Sequence, residues 1–181
     1  PSVHRRAYFW LLLLTGARRS ELQWARWEHF EVEAKRLRLP DTKASELQFI
    51  PLSSAALAIL EAIPRISDSP FVFPGLRRRS REPRPIANLS EPWRQILKRA
   101  QLSDLRIHDL RRTVGSYMTQ SGVDLNTIKE GLRHASISTT LTYARLGADP
   151  ARDALEAHGV AVLEGSRDQA EKNESEPTVT Q

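Results

Sequence analysis

The pair His108 and Arg111 is the first place in this sequence where side-chain type and spacing point to chemistry. Residues three apart share one face of a helix, so both side chains would project to the same side. A guanidinium stays charged at any working pH and forks toward phosphate oxygens, so the pair could hold an anionic group. Gly115 lies on the same side and would let another group approach closely. Because the motif is short, a surface pair at the edge of an amphipathic helix is the alternative interpretation.

Three further segments contribute residues of the same kind. Arg18 follows a glycine turn and stands at the start of a short helix that includes Glu21. His134 precedes Tyr143 by nine residues, and Lys43 lies in the connection between two predicted strands. Taken singly, each has an ordinary structural explanation: a cation at a helix end, a tyrosine in a core or an interface, and a solvated lysine in a turn.

Together and in this order, the four segments resemble the catalytic domain of the tyrosine recombinases, which include phage integrases, chromosome-dimer resolvases and transposon integrases. The resemblance covers about residues 5–146. It implies a mainly helical α+β fold around a small three-stranded antiparallel sheet, and an activity that uses neither a metal nor a nucleotide cofactor. The catalytic residues that it implies are Arg18, Lys43, His108, Arg111, His134 and Tyr143.

The resemblance also implies a reaction. Tyr143 would attack a DNA phosphodiester to form a 3′-phosphotyrosine, which the hydroxyl of a second strand then attacks without ATP. Arg18 and Arg111 would stabilise the charge on the phosphate oxygens, Lys43 would protonate the leaving oxygen, and His134 would hydrogen-bond a non-bridging oxygen. We therefore expect a site-specific DNA recombinase, or integrase. A nicking–closing enzyme like the type IB topoisomerases and a non-catalytic DNA-binding protein on the same scaffold are the alternatives.

Two departures from the family pattern stand out. A glycine usually precedes the second histidine at the end of a helix, whereas this sequence has Arg133. If the backbone requires a positive φ there, an arginine is strained. We also expect residues 1–164 to form the catalytic domain alone, without the amino-terminal DNA-clamping domain of the family. Residues 165–181 carry two basic and four acidic residues without periodicity, and we expect a disordered polar tail.

The elements that must position these residues are predicted from hydrophobic periodicity and capping residues. Ser2 is predicted to cap a helix to about Leu14, Ser53 or Ser54 a helix through Ile63, and Ser90 a helix to about Ala100. Further helices are predicted at about residues 19–22, 107–121, 124–132, 137–145 and 150–163, and strands at 30–32, 37–39 and 47–49. Trp24, Trp27 and Trp93 are interpreted as core residues rather than base-stacking ones.

The composition fits a cytosolic protein with a polyanionic partner, although many basic proteins bind no nucleic acid. The chain has 181 residues, a formal net charge of +5 and no cysteine, which excludes disulfides and thiolate chemistry. Its longest apolar run, residues 7–14, is far shorter than the roughly 18–20 residues that cross a bilayer. We therefore expect a cytoplasmic, nucleoid-associated protein whose partner is double-stranded DNA, with no membrane or small-molecule partner. The resemblance implies a tetramer on two DNA sites. Arg77, Arg78, Arg79 and Arg81 are candidates for phosphate contacts, with a solvated loop as the alternative.

Overall fold

Helix α1, Val3–Thr15, supplies buried side chains to the main core. In the computed structural model, which describes residues 2–39, 47–75, 82–134 and 136–144, the Ser2 hydroxyl accepts the backbone N–H of Arg5. This contact is the predicted helix cap. The helix ends at Gly16, whose φ of 61° lies in the left-handed region that glycine tolerates. Its buried residues are Ala7, Tyr8, Phe9, Leu11, Leu12 and Thr15.

A short helix and three short strands come next in the chain. They are α2 (Arg19–Gln23), β1 (Phe30–Glu31), β2 (Arg36–Leu39) and β3 (Gln48–Pro51). The strands pair antiparallel in the order β1–β2–β3, with Leu37 opposite both Phe30 and Ile50. The predicted third strand, 47–49, begins and ends too early, since β3 is Gln48–Pro51. Ile50 is fully buried, while Leu47 is exposed. The alternation of the strand therefore continues beyond the residues on which the prediction was based.

A short 3₁₀ helix, Trp27–His29, precedes β1, and five more α-helices follow the sheet. They are α3 (Ser54–Glu61), α4 (Ser90–Ala100), α5 (Asp109–Gln120), α6 (Leu125–Leu132) and α7 (Ile137–Ala144). Ser53 caps α3 by accepting the backbone N–H of Ala56, as predicted. The prediction that Ser90 caps α4 is wrong. Leu89 takes the capping position with φ −76° and ψ −13°, so Ser90 already lies inside the first turn.

Two clusters of apolar side chains hold the described residues together. The larger one combines α1, the sheet, α3 and the segment around Phe73. The smaller one lies between α5, α6 and α7 and contains Ile128, Leu132 and Tyr143. Helix α5 packs against α1 and also against α6 and α7, so it connects the two clusters. All described residues belong to one compact unit, Pro1–Arg145.

The mainly helical fold with a three-stranded antiparallel sheet is thus confirmed. One tryptophan was interpreted wrongly: Trp24 is 59% exposed at the end of α2, whereas Trp27 and Trp93 pack against the larger cluster. Within the described ranges, no helix is long and apolar enough to span a bilayer. Several predictions fall outside the described residues, namely Lys43, Arg77, Arg78, Arg79, Arg81, the helix at 150–163 and the tail at 165–181.

Candidate active site

Arg18 lies at the start of α2, directly after the turn that Gly16 makes possible. Its Nη1 donates to Glu21 Oε1 at 2.7 Å, and its backbone N–H donates to Glu21 Oε2 at 2.6 Å. Its Nη2 donates to the backbone carbonyl of Arg133 at 2.8 Å. The side chain remains 42% exposed. Arg18 is therefore held on its inner side and open to solvent on its outer side.

Arg111 extends from α5 toward Arg18 and is only 3% exposed. Its Nη1 donates to the carbonyl of Gly16 at 2.6 Å, and its Nη2 donates to the carbonyl of Leu132. Burial, followed by the charge of Arg18, lowers the pKa of Arg111 to about 10, which still leaves the guanidinium charged at pH 7. Since Arg18 binds the next carbonyl along, that of Arg133, the two guanidiniums lie side by side at the end of α6.

Arg133 ends α6 with φ 52° and ψ 49°, so the positive φ foreseen for this position is present. A non-glycine residue there costs about 1–2 kcal/mol. Its side chain is 6% exposed, and its Nη2 donates to Glu21 Oε2 at 2.9 Å. Although burial raises the pKa of Glu21, the charge of Arg133 and the contacts from Arg18 bring it below its ordinary value. The buried guanidinium of Arg133 therefore has a carboxylate partner, although burial still lowers the pKa of Arg133.

The two histidines lie beside these arginines. His108 takes the position before the first residue of α5, and His134 follows Arg133 directly. His134 Nδ1 lies 2.9 Å from the hydroxyl of Thr140, a fully buried residue of α7. Burial, followed by the charges of Arg111 and other cations, lowers the pKa of both histidines. The lowered pKa favours the neutral form of both imidazoles at pH 7, which can accept a hydrogen bond or a proton.

Tyr143 comes from α7 and is 6% exposed. Its ring stacks on the His134 ring at a centroid distance of 6.3 Å and packs against Gly115. A Cβ atom on Gly115 would lie 2.5 Å from Cζ of the tyrosine, which confirms the close approach expected at this glycine. Burial raises the pKa of the phenol, although the charges of Arg111 and Arg112 act in the opposite direction. In this arrangement the phenol is protonated and enclosed.

A cleft of about 360 Å³ opens beside Arg18, between α2 and the sheet. Among its lining residues are Arg18, Glu21, Trp24, Arg38 and Gln48. The exposed Trp24 therefore lines this cleft, whereas the sequence predicts core packing for it. Among the described residues, no group of three or more histidine, aspartate or glutamate side chains could hold a metal ion.

The charges of the site favour an anion. The guanidiniums of Arg18, Arg111 and Arg133 face a single carboxylate, that of Glu21. Three positive charges against one negative charge leave a balance of +2 where two neutral imidazoles can also donate hydrogen bonds. A phosphodiester is an anion of the size and geometry that guanidiniums bind. This cluster can therefore hold a phosphate.

The sequence profile of the phage integrase family matches residues 1–149. The chain belongs to this family. Phage integrase family membership was the expectation drawn from the motifs around Arg18, Arg111 and Tyr143, and it is confirmed.

Individual relatives agree with the family match. The chain is 30% identical over 153 residues to the tyrosine recombinase XerA of Pyrococcus furiosus, covering 81% of this chain and 51% of that protein. It is 31% identical over 149 residues to the tyrosine recombinase XerD of Brucella suis, covering 75% of this chain and 46% of that protein. The chain thus spans about half the length of the curated relatives it matches.

A solved structure extends the likeness to the fold. The catalytic domain of bacteriophage HP1 integrase superimposes with a TM-score of 0.59 at 21% identity, covering 83% of this chain and 79% of that one. Identity at this level supports the integrase fold and carries no residue roles.

The described structure brings together five of the six residues predicted for the site: Arg18, His108, Arg111, His134 and Tyr143. Two residues of the site, Arg133 and Thr140, were not predicted from the sequence. Arg133 stood out only as a departure from the family pattern, and its pairing with Glu21 joins residues 112 positions apart. Thr140 had no signal beyond its place on a predicted helix between His134 and Tyr143.

Proposed function

We propose that residues 1–164 of this chain are the catalytic domain of a site-specific DNA recombinase, an integrase that cuts and rejoins strands through Tyr143. The observation that carries the proposal is the convergence of Arg18 and Arg111 on the successive carbonyls of residues 132 and 133. Two histidines and a tyrosine adjoin these arginines. Family membership and the recombinase relatives support the same function.

In this proposal the arginines bind the scissile phosphate. Their permanent charge lies where negative charge builds up on the phosphate oxygens as the new bond forms, which is often the largest single contribution to catalysis. Arg18 offers the exposed side of its guanidinium. His134, fixed by Thr140, donates a hydrogen bond to a non-bridging oxygen.

The proposed reaction has two transesterification steps. Tyr143 Oη attacks the phosphorus, its proton passes to the neutral imidazole of His108, and the bond from phosphorus to the 5′ oxygen breaks. Lys43 donates a proton to that leaving oxygen. In the second step the 5′ hydroxyl of another strand gives its proton to Lys43 and attacks the 3′-phosphotyrosine, the bond from phosphorus to Tyr143 Oη breaks, and His108 returns the proton to Tyr143. No energy source is needed, because the phosphotyrosine ester conserves the energy of the broken bond.

The buried state of Tyr143 has a consequence for this reaction. A free tyrosine has a pKa of about 10, so forming the phenolate at pH 7 costs about 4 kcal/mol. Burial in the described arrangement raises that cost further. With Arg111 at 3% and Tyr143 at 6% exposure, a phosphate cannot reach both groups at once. We therefore expect α7 to move away from Gly115 when DNA binds.

The partners follow from the same proposal. Duplex DNA is the substrate, and Arg77, Arg78, Arg79 and Arg81 add phosphate contacts that are independent of sequence. The active assembly is a tetramer on two DNA sites, and the protein acts in the cytoplasm at the nucleoid.

A duplex with a nick near the scissile phosphate tests the proposal. Cleavage releases a short fragment that carries the 5′ hydroxyl and diffuses away. The covalent protein–DNA adduct therefore accumulates and can be seen on a denaturing gel. We expect an adduct, followed by joining to a second duplex that carries a free 5′ hydroxyl. Absence of any adduct would mean a non-catalytic DNA-binding protein. Adducts that only reseal the original strand would mean a nicking–closing enzyme.

A further inference from the structure

The carboxylate of Glu21 lies between two guanidiniums. Oε1 accepts a hydrogen bond from Arg18 Nη1 at 2.7 Å. Oε2 accepts one from the backbone N–H of Arg18 at 2.6 Å and one from Arg133 Nη2 at 2.9 Å. Each oxygen of this single carboxylate therefore has a cationic side chain as a donor.

The two cations differ in their exposure. The Arg18 side chain is 42% exposed, whereas those of Glu21 and Arg133 are 12% and 6% exposed. Arg133 Nη1 is fixed in addition by the carbonyl of Gly131 at 3.0 Å. The inner arginine is thus enclosed and committed to the protein, and the outer one faces solvent. Only the outer arginine has a free side for a ligand.

Sharing the carboxylate changes what Arg18 can do. An arginine that faces one carboxylate alone is largely neutralised, and a phosphate would have to compete with that carboxylate for it. A second guanidinium on Glu21 takes up part of the negative charge and prevents the carboxylate from turning wholly toward Arg18. Arg133 also holds Arg18 through its own backbone carbonyl, since Arg18 Nη2 donates to it at 2.8 Å.

We propose that Arg133 is a positioning residue for Arg18: it fixes and partly neutralises Glu21, so that the outer side of the Arg18 guanidinium remains oriented and free for the scissile phosphate. The binding of a scissile phosphate to Arg18 rests on the proposed function. The orientation of Arg18 by Arg133 rests on the described contacts. It also gives the Arg133 side chain a role at a position where the backbone adopts a positive φ.

The first experiment measures cleavage of the nicked duplex under single-turnover conditions at saturating DNA. We expect Arg133→Gly to lower the rate constant by about tenfold, since misplaced catalytic groups lose rate at the chemical step. The Kd for a half-site should change less than about threefold, because the Arg133 side chain is 6% exposed and is not one of the proposed phosphate contacts. Arg133→Lys keeps the charge beside Glu21 and should recover about a third of the rate or more. If Arg133 had a purely structural role, Arg133→Gly would lower the fraction of DNA that is cleaved, because less protein would be folded, and would leave the rate constant unchanged.

A double-mutant cycle tests whether Arg133 acts through Glu21. In a Glu21→Gln background the carboxylate charge is gone, so adding Arg133→Gly should lower the rate by less than about twofold. Equal effects of Arg133→Gly in both backgrounds would overturn the inference.

Gln101→Gly is the matched control, because Gln101 ends α4 with φ 55° and no described contact joins it to the site. It makes the same backbone change and should leave the cleavage rate unchanged. If Arg133→Gly cleaves like the unmodified chain, the inference fails while the proposed recombinase stands.

A measurement without DNA keeps the inference testable even if no adduct forms. Relaxation of the Arg18 Nε–Hε group by NMR reports the order of that side chain. We expect the Arg18 order parameter to fall in Arg133→Gly and to be kept in Gln101→Gly. An unchanged order parameter in Arg133→Gly would contradict the positioning role.

Discussion

Replacing Gly115 by alanine tests the packing that encloses Tyr143. The added Cβ atom would lie 2.5 Å from Cζ, 2.6 Å from Cε2 and 3.0 Å from Cε1 of the tyrosine ring. Ordinary van der Waals contacts begin at 3.4 Å, so the ring would have to retreat by about 1 Å from α5. The ring belongs to the small cluster with Ile128 and Leu132, and it cannot retreat without disturbing that cluster.

The size of the effect follows from two opposing contributions. Overpacking of this kind costs about 1–3 kcal/mol, while alanine in a helix gains up to about 1 kcal/mol over glycine. Gly131→Ala isolates the second contribution, because a Cβ there would meet only Met118 Cε at 3.5 Å. We therefore expect Gly115→Ala to be less stable than Gly131→Ala by about 1–3 kcal/mol.

Urea unfolding of the two variants measures this difference. In a Tyr143→Ala background the obstacle is gone, so Gly115→Ala should then stabilise the protein as Gly131→Ala does. If Gly115→Ala and Gly131→Ala stabilise the otherwise unmodified protein equally, the tyrosine ring does not lie against Gly115 in solution and our account of its burial is wrong.

Two further predictions concern charge. The pKa values of His108 and His134 are lowered in the folded state, so the unfolded chain binds more protons than the folded one near and below pH 6.5. The free energy of unfolding should therefore fall as the pH drops below about 6.5. In urea titrations from pH 5 to 8, His134→Asn should make that fall shallower. An equally steep fall in His134→Asn would remove that histidine from the explanation. Duplex affinity should decrease steeply with salt, and replacing Arg77, Arg78 and Arg79 by glutamine should flatten the log–log slope by about 0.9 for each phosphate that the protein no longer neutralises. An unchanged slope would identify that run as a solvated loop.

The sequence predicted the parts of the fold that depend on local signals. Ser2 and Ser53 cap their helices as expected, and Gly16 provides the left-handed turn before Arg18. His108 and Arg111 lie close together, as their spacing predicted, although α5 begins only at Asp109 and His108 precedes the helix. The prediction for Ser90 was wrong. Serine is favoured at a helix cap, but here the helical dihedral angles begin one residue earlier, at Leu89, so Leu89 takes the capping position.

Other features of the site depend on tertiary contacts and had no local signal. Glu21 and Arg133 meet across 112 residues, and Arg111 reaches the carbonyl of Gly16 across 95. Such pairs form only after α5 and α6 have packed beside the start of α2. The positive φ at residue 133 could be foreseen from the helix end, whereas the carboxylate that partners the arginine side chain could not.

Loss of the covalent adduct in Tyr143→Phe tests the central claim most directly. The substitution removes one hydroxyl and keeps the ring that packs against Gly115, so folding and DNA binding should be preserved. Tyr117→Phe is the matched control, since Tyr117 is an exposed tyrosine on α5. On the nicked duplex we expect the unmodified chain and Tyr117→Phe to form the adduct, and Tyr143→Phe to form none while binding DNA with unchanged affinity. An adduct that persists in Tyr143→Phe would contradict the assignment of Tyr143 as the nucleophile.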